Sequence, residues 1–195
     1  MESLKQLSEL CLPDERQQYF VVITDPNSQS YRKRTLEDIY TEASSIQLNP
    51  SVPEKVQSHF STALNLLAYS WFHYPFNVTA QFLAYVTVEL ALNEKFLPER
   101  PTSFKKLIRK AVGDGFIKDS GFSHFISNAP QPPYLGVEMS QPDVERYCEA
   151  LVDAIPSLRN QLAHGSTMLH SNGAHAVRIC AEFINQLFTN EGQNE

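Results

Sequence analysis

The stretch VQSHFSTALNLLAYSWFHYPFNVTAQFLAYVTV, residues 56–88, decides the fold class of this 195-residue chain, because it contains no Asp, Glu, Lys or Arg. Gln57, His59 and Asn65 interrupt its apolar residues, and Pro75 lies near its middle. It therefore lacks the uninterrupted apolar run of roughly 18 residues that a membrane-spanning helix needs. The stretch predicts two buried helices that meet near Pro75, and no membrane segment.

The first of these helices shows the three-and-four spacing that is typical of one helical face. The residues with this spacing are Val56, Phe60, Ala63, Leu64, Leu67 and Trp71. The second helix is predicted to begin near Asn77, whose side chain can cap the free N–H groups, and to end at about Leu97. Charge-free surfaces on both helices exceed what one chain buries, so we expect a homodimer interface to cover the excess.

The rest of the chain is predicted to be mainly helical. Further helices are predicted over residues 1–12, 35–47 (capped by Thr35), 103–112 (capped by Thr102 or Ser103), 143–165 (kinked or restarted at Pro156) and 172–188. One strand is predicted over residues 18–24, followed by a turn at 25–28, and residues 127–142 are predicted to form a Pro-rich loop. A linker at 48–53 separates an N-terminal addition, residues 1–50, from a helical bundle, residues 53–190. We therefore expect an all-α fold with four to five core helices and a small helix–strand–helix addition.

Composition limits the function. With 42% hydrophobic residues the chain can bury one sizeable core. A net charge of −6 argues against a general nucleic-acid coat, so an RNA site would have to be a local basic pocket. Cys11, Cys148 and Cys180 are far apart and lack metal-ligand spacing, which favours free thiols in a reducing compartment. No secretion signal is recognisable, so a cytoplasmic protein is expected.

The run RNQLAHG, residues 159–165, brings three chemically useful groups within two helical turns. The Arg159 guanidinium can grip phosphate oxygens in a bidentate manner, and a histidine such as His164 can titrate near neutral pH. Asn160 and His164 are four residues apart and share a helical face, whereas Arg159 would have to reach around the helix. Phosphate binding and proton transfer are what metal-free RNA cleavage requires.

This run resembles the signature of the HEPN superfamily (higher eukaryotes and prokaryotes nucleotide-binding), and the helix order over 53–190 is similar. The resemblance implies a homodimer that brings two motifs together, and RNA cleavage without metal or cofactor to a 2′,3′-cyclic phosphate and a 5′-hydroxyl. It implies that Arg159 holds the phosphate, His164 acts as general acid or base, and Asn160 orients either group. A stress, antiviral defence or toxin–antitoxin setting with a regulatory protein partner is also implied. HEPN toxins that are silenced by adenylylation carry a Tyr where this chain has Ser166, so that control is not expected.

Glu89 is a further candidate for the site. It shares a helical face with Phe82, Val86 and Asn93, which leaves a carboxylate in an otherwise apolar stripe. A buried carboxylate needs a partner. Arg159 is the candidate, and the carboxylate would either aim the guanidinium or simply neutralise it. The alternative is that Glu89 lies at the edge of the stripe and reaches solvent.

Other interpretations of the same residues remain. A His followed by Gly is also an ordinary helix C-terminus, and Arg159 a plain ion-pair partner, in which case the chain would be a non-catalytic module that binds a nucleotide or a partner protein. His164, His170 and His175 lie close in sequence, but no well-spaced acid or Cys joins them, so no metal site is expected. Two basic clusters, Arg32–Lys33–Arg34 and Lys105–Lys106–Arg109–Lys110, are candidates for guiding RNA.

Overall fold

The computed structural model describes residues 4–19, 22–24, 30–123, 147–165 and 169–189. The helices of this part are α1 (Glu15–Tyr19), α2 (Leu36–Ser44), α3 (Glu54–Tyr69), α4 (Phe76–Phe96), α5 (Phe104–Gly113), α6 (Tyr147–Ala163) and α7 (Gly173–Leu187). Single 3-10 turns lie at Leu7–Glu9 and Asp119–Gly121. Strands β1 (Val22–Thr24) and β2 (Tyr31–Lys33) form a two-stranded antiparallel ribbon. The predicted all-α class is confirmed, with α3 to α7 as the core helices.

Helix α4 is the centre of the bundle, because α3, α5, α6 and α7 all pack against it. Its fully buried residues include Ala84, Val88 and Leu92. Small side chains at a helix contact let the neighbouring axes approach closely. The start of α7 shows this proximity, since a Cβ on Gly173 would lie 2.6 Å from the backbone oxygen of Asn77.

Helix α3 buries the face that the spacing predicted. Val56, Phe60, Ala63 and Leu67 are at most 1% exposed. Leu64 is only half-buried, and Trp71 is buried in the turn that follows the helix. The exposed residues in the charge-free part of α3 are Ser58, Ser61, Thr62, Asn65 and Tyr69. Most of this uncharged outer surface is therefore polar rather than apolar.

The turn between α3 and α4 differs from the prediction, because Asn77 does not cap α4. Pro75 occupies the N-cap position, and Asn77 lies inside the helix, where its buried Nδ2 donates to the Tyr74 carbonyl. The fixed φ of proline suits the start of a helix, so the helix begins before Asn77. At its other end Leu97 adopts a left-handed conformation (φ 41°), which ends α4 before Pro98 as predicted.

The start of the chain is also not as predicted. Residues 4–12 contain only the short 3-10 turn, and Leu4, Leu7, Leu10 and Leu12 are exposed. An amphipathic helix needs a surface that covers its apolar face, and Leu4 and Leu7 are 95% and 87% exposed. The predicted strand over 18–24 is shorter, because α1 extends through Tyr19, and its partner β2 was not predicted at all. The predicted turn at 25–28 lies outside the described residues.

Two polar side chains attach the N-terminal addition to the turn between α3 and α4. The buried Gln17 donates from Nε2 to the backbone oxygen and the hydroxyl of Ser70. The Asp14 carboxylate accepts from the Tyr74 N–H at 2.8 Å. Burial alone would raise the pKa of Asp14, but hydrogen bonds from Arg16 and the Tyr74 N–H outweigh it and lower the pKa to about 2.

The segments on either side of α2 are ordered by specific contacts. Thr35 caps α2, as predicted, by accepting from the Asp38 N–H in a capping box. The predicted linker at 48–53 is held against α7: Asn185 Oδ1 accepts from the Asn49 N–H, and Asn185 Nδ2 donates to the Gln47 carbonyl. Val52 is 2% exposed. This linker is therefore part of the packed structure.

The later helices follow the prediction apart from two details. Ser103 occupies the N-cap position of α5, but its side chain makes no capping hydrogen bond. Helix α6 runs through Pro156 without a restart, so of the two predicted alternatives, a kink or a restart, the restart is wrong. Helix α7 matches the predicted range to within one residue at each end. The predicted loop at 127–142 and the first residues of the helix predicted from 143 lie outside the described residues.

Two further findings concern the chain as a whole. Among the described residues, no helix combines the length and apolar character needed to cross a bilayer. The three cysteines are free thiols, with Cys11 exposed and both Cys148 and Cys180 buried. Burial raises the pKa of the Cys148 thiol to about 12, so this group stays protonated and unreactive at neutral pH.

Candidate functional site

The C-terminal half of α6 positions the RNQLAHG motif. Leu151, Val152 and Ile155 are buried and fix one face of the helix against the bundle. Arg159 follows Ile155 by four residues, so its Cα lies one turn further along nearly the same face. It emerges at the edge of the core, with its side chain 32% exposed. Pro156 removes one backbone donor inside this helix but does not interrupt it.

Arg159 joins two other predicted site residues. Its Nη2 donates to Glu89 Oε2 on α4 at 2.6 Å, and its Nη1 donates to Asn160 Oδ1 at 3.0 Å. The predicted pairing of Glu89 with Arg159 is therefore confirmed. The side chains of Arg159 and Asn160 leave the helix in different directions, but the arginine is long enough to reach the Asn160 amide. Glu89, Arg159 and Asn160 form one chain of hydrogen bonds.

His164 is the first residue after α6. Its backbone N–H donates to the Asn160 carbonyl at 2.9 Å, and Gly165 follows with a φ of +88°. A glycine adopts this left-handed conformation without steric cost and so ends the helix. The imidazole is exposed and makes no hydrogen bond or ion pair with another described residue. Its side chain is therefore available to a ligand.

Asn160 and His164 line the same shallow, solvent-open depression, together with Ser157, Gln161 and Gly165. The shared face that their spacing predicted is thus confirmed. Asn160 lines the depression and also belongs to the hydrogen-bond chain with Glu89 and Arg159, because its Oδ1 accepts from Arg159. Neither Arg159 nor Glu89 lines this depression, so within the described part of the chain the ion pair and His164 are linked only through Asn160.

The electrostatics of the site depend on the ion pair. Glu89 is 26% exposed on its side chain, and its carboxylate offsets the charge of Arg159 without removing the guanidinium's other donors. A guanidinium has five N–H donors, of which two are engaged here. Nε is buried and has no hydrogen-bond partner. The two unused Nη donors can bind an anion such as a phosphate oxygen.

The other histidines of this region lie elsewhere. His170 and His175 line a second cleft, between α4, α6 and the start of α7, with Gln81 and Tyr85 among its other residues. The sequence interpretation did not assign these last two residues to a site. A signal was present: Gln81, Tyr85 and Glu89 follow each other at four-residue steps in a helix that is otherwise mainly apolar. Among the described residues, no group of three or more His, Cys, Asp or Glu side chains is arranged to hold a metal ion.

The two basic clusters differ in how far their charge is compensated. In the ribbon cluster, which consists of Arg32, Lys33 and Arg34, two of the three cations are paired. Arg32 pairs with Asp38, and Arg34 pairs with Glu42. In the α5 cluster the ion pairs are Lys105 with Asp153 and Lys110 with Asp114. The other two members of that cluster, Lys106 and Arg109, are exposed and have no ion pair within the described part of the chain. The face of α5 is therefore the more basic surface of the two.

Comparisons with known proteins add no relative, since no protein-family model, no curated protein and no solved structure matches this chain. The HEPN resemblance therefore rests on the RNQLAHG run and the order of the helices.

Proposed function

We propose that the protein is a metal-independent endoribonuclease that acts as a homodimer in the cytoplasm. The observation that supports this proposal is the chain of hydrogen bonds from Glu89 through Arg159 to Asn160, beside the exposed imidazole of His164. It places a held guanidinium and a free imidazole at the end of one helix. RNA is the substrate, and a regulatory protein partner in a stress or defence response is part of the proposal.

In this mechanism Arg159 binds the scissile phosphate through its unused Nη donors. The transition state of the reaction carries one more negative charge on its phosphorane oxygens than the ground state does. A guanidinium that is already held in place stabilises this charge without reorganising. Glu89 and Asn160 each accept one N–H of Arg159, and so they restrict its rotation. Both are positioning residues.

His164 transfers the proton. The 2′-oxygen of the RNA attacks phosphorus, the new O2′–P bond forms and the P–O5′ bond breaks, which yields a 2′,3′-cyclic phosphate and a free 5′-hydroxyl. One imidazole removes the 2′-hydroxyl proton as general base, or an imidazolium donates a proton to the leaving 5′-oxygen as general acid. A homodimer supplies a second copy of His164, so each of the two steps has its own group. Sedimentation velocity tests this part, since a monomer that cleaves RNA would contradict it.

The decisive experiment is cleavage of a mixed-sequence RNA by the purified protein in excess chelator, with analysis of the 3′ ends. We expect cyclic-phosphate products from the wild type. His164→Gln keeps a polar side chain but cannot transfer a proton, and it should lower the rate by about 10²–10⁴-fold. Arg159→Ala removes the phosphate contact and should lower the rate by about 10²–10³-fold.

Matched controls separate these roles from general effects. Arg100→Ala removes an exposed arginine outside the site and should leave the rate within a factor of two or so of wild type. Circular dichroism melts show whether each variant is folded. Absence of cleavage by the wild type would overturn the nuclease, and full activity of His164→Gln or Arg159→Ala would overturn the assigned roles.

One observation favours the second candidate function, a non-catalytic module that binds a nucleotide or a partner protein. Arg159 already has a carboxylate partner at 2.6 Å, as a purely structural ion pair would. Glu89→Gln distinguishes the two cases. If Glu89 aims the guanidinium, the cleavage rate falls by about tenfold while RNA still binds. Gln keeps an acceptor oxygen but loses the charge-assisted hydrogen bond that holds Arg159 in place. A binding module would show no cleavage in any variant.

A further inference from the structure

The second cleft lies one helical turn from the Arg159–Glu89 pair. Tyr85 on α4 and Ile155 on α6 both line the cleft. Glu89 follows Tyr85 by four residues, and Arg159 follows Ile155 by four residues. Helices α4 and α6 therefore run in the same direction along this contact. Four residues correspond to about 6 Å along a helix axis. The cleft thus begins within one nucleotide's reach of the guanidinium.

The cleft has the size and the lining of a site for a small ring system. Its volume is about 280 Å³, close to the lower end of the range of about 300–1,000 Å³ that is typical of small-molecule pockets. Leu151, Ile155 and Ala176 are buried apolar residues of its lining. His175 and Leu158 are exposed members. A flat, mainly apolar ligand with a few polar edges suits this combination.

Gln81 is the unusual residue of the cleft. The residue is only 6% exposed. One end of its amide is engaged, because Nε2 donates to the Tyr85 hydroxyl at 2.8 Å. The other end, Oε1, has no hydrogen-bond partner. A buried polar atom without a partner costs free energy that a ligand with a matching donor can recover.

Other polar groups around the cleft complement this amide. Burial raises the pKa of the Tyr85 hydroxyl far above its usual value, so the hydroxyl stays neutral and keeps its proton. His170 Nδ1 accepts from the Asn172 N–H at 3.3 Å, which leaves its Nε2 as the ring donor in the neutral form. Aromatic and imidazole rings stack well on bases, and proteins recognise unpaired RNA by holding splayed bases in such pockets.

We propose that this cleft binds the base of the nucleotide next to the scissile phosphate, with the phosphate on Arg159 and a base N–H donating to Gln81. This inference rests on the proposed function, since it names the substrate contact beside the same phosphate site. The cleft would hold the RNA strand in register for cleavage and would select among the four bases. Gln81 is thus a specificity residue of the proposed nuclease.

Isothermal titration calorimetry with AMP, GMP, CMP and UMP and the four nucleosides tests the proposal. At least one nucleotide should bind the wild type, and Gln81→Met should weaken it by tenfold or more. Gln57→Met, the same change at a half-buried glutamine on α3, should leave the affinity unchanged. Arg159→Ala should weaken the nucleotides but not the nucleosides. Thermal melts confirm that each variant is folded.

The outcomes separate this proposal from the nuclease itself, because RNA cleavage is measured on the same preparations. Failure of all four nucleotides to bind, or equal affinities for Gln81→Met and Gln57→Met, would overturn the base site even if the wild type cleaves RNA. Nucleotide binding that depends on Gln81, in a protein that cleaves no RNA, would support the base site and overturn only the nuclease.

Discussion

Helix α4 carries two rows of residues at four-residue steps, and they differ in chemistry. The apolar row consists of Ala84, Val88 and Leu92, which are fully buried in the core. The polar row consists of Gln81, Tyr85 and Glu89, which lie towards α6 at a cleft and an ion pair. The first row stabilises the bundle through apolar burial. The second row holds a buried amide atom without a partner and a partly buried charge, which lower stability and therefore indicate a site rather than a core.

The largest effect is expected in the apolar row. Leu92→Ala should lower the free energy of unfolding by about 2–5 kcal/mol, because it removes fully buried methyl groups and leaves a cavity. Urea denaturation measures the change. Leu97→Ala, at a side chain that is 74% exposed, is the control and should stay within about 0.5 kcal/mol of wild type. A loss below about 1 kcal/mol for Leu92→Ala would mean that this part of the core is loosely packed.

The second prediction tests how closely α7 approaches α4. A methyl group on Gly173 would lie 2.6 Å from the backbone oxygen of Asn77, which cannot move without shifting the helix. Gly173→Ala should therefore destabilise the protein by about 1–3 kcal/mol in the same assay. Gly113→Ala has nothing within 4 Å of the added methyl, and a helix gains up to about 1 kcal/mol from this exchange. Equal effects of the two changes would contradict the close contact.

The apolar row and its partners could be predicted from the sequence, because helical periodicity repeats over many residues. The buried face of α3, the end of α4 before Pro98 and the limits of α7 follow from such patterns together with helix-ending residues. Where one residue decides the local structure, prediction was less successful. Asn77 has the local preference of a helix cap, but α4 already begins after Pro75. Pro156 has the preference of a helix breaker, but α6 continues through it.

The candidate site could be predicted in part. A carboxylate on an apolar stripe needs a partner, and that reasoning joined Glu89 to Arg159 although 70 residues separate them. The cleft beside this pair could not be predicted, because its shape depends on how α4, α6 and α7 pack together. The spacing of the leucines near the N-terminus suggested a helix, but they stay exposed and the segment forms only a 3-10 turn.

The third prediction concerns the ion pair of the polar row. A double-mutant cycle with Glu89→Ala and Arg159→Ala should give a coupling free energy of about 0.5–1 kcal/mol, because solvent screens a pair of this exposure. The Lys55–Glu94 pair, whose side chains are 67% and 29% exposed, provides a control cycle with a smaller coupling. A coupling well above about 2 kcal/mol would favour a structural role for Arg159 over the catalytic one.

The smallest effect is expected where the polar row lines the cleft. Gln81→Met combined with Tyr85→Phe removes both partners of their hydrogen bond and keeps the side chains at similar volume. Replacing both partners of a buried hydrogen bond by apolar groups is nearly neutral or stabilising. The double variant should stay within about 0.5 kcal/mol of the wild-type free energy of unfolding or exceed it.

This last result would show whether the two rows differ in their contribution to stability. Both rows have the same four-residue spacing on one helix. If substitutions in the two rows change the free energy of unfolding differently, the cause must be the chemistry of the side chains. If the double variant is as stable as the wild type but binds no nucleotide, the polar groups serve a ligand. A loss of about 2 kcal/mol or more would instead show that Gln81 and Tyr85 support the fold, and the cleft would then be a packing gap beside a structural hydrogen bond.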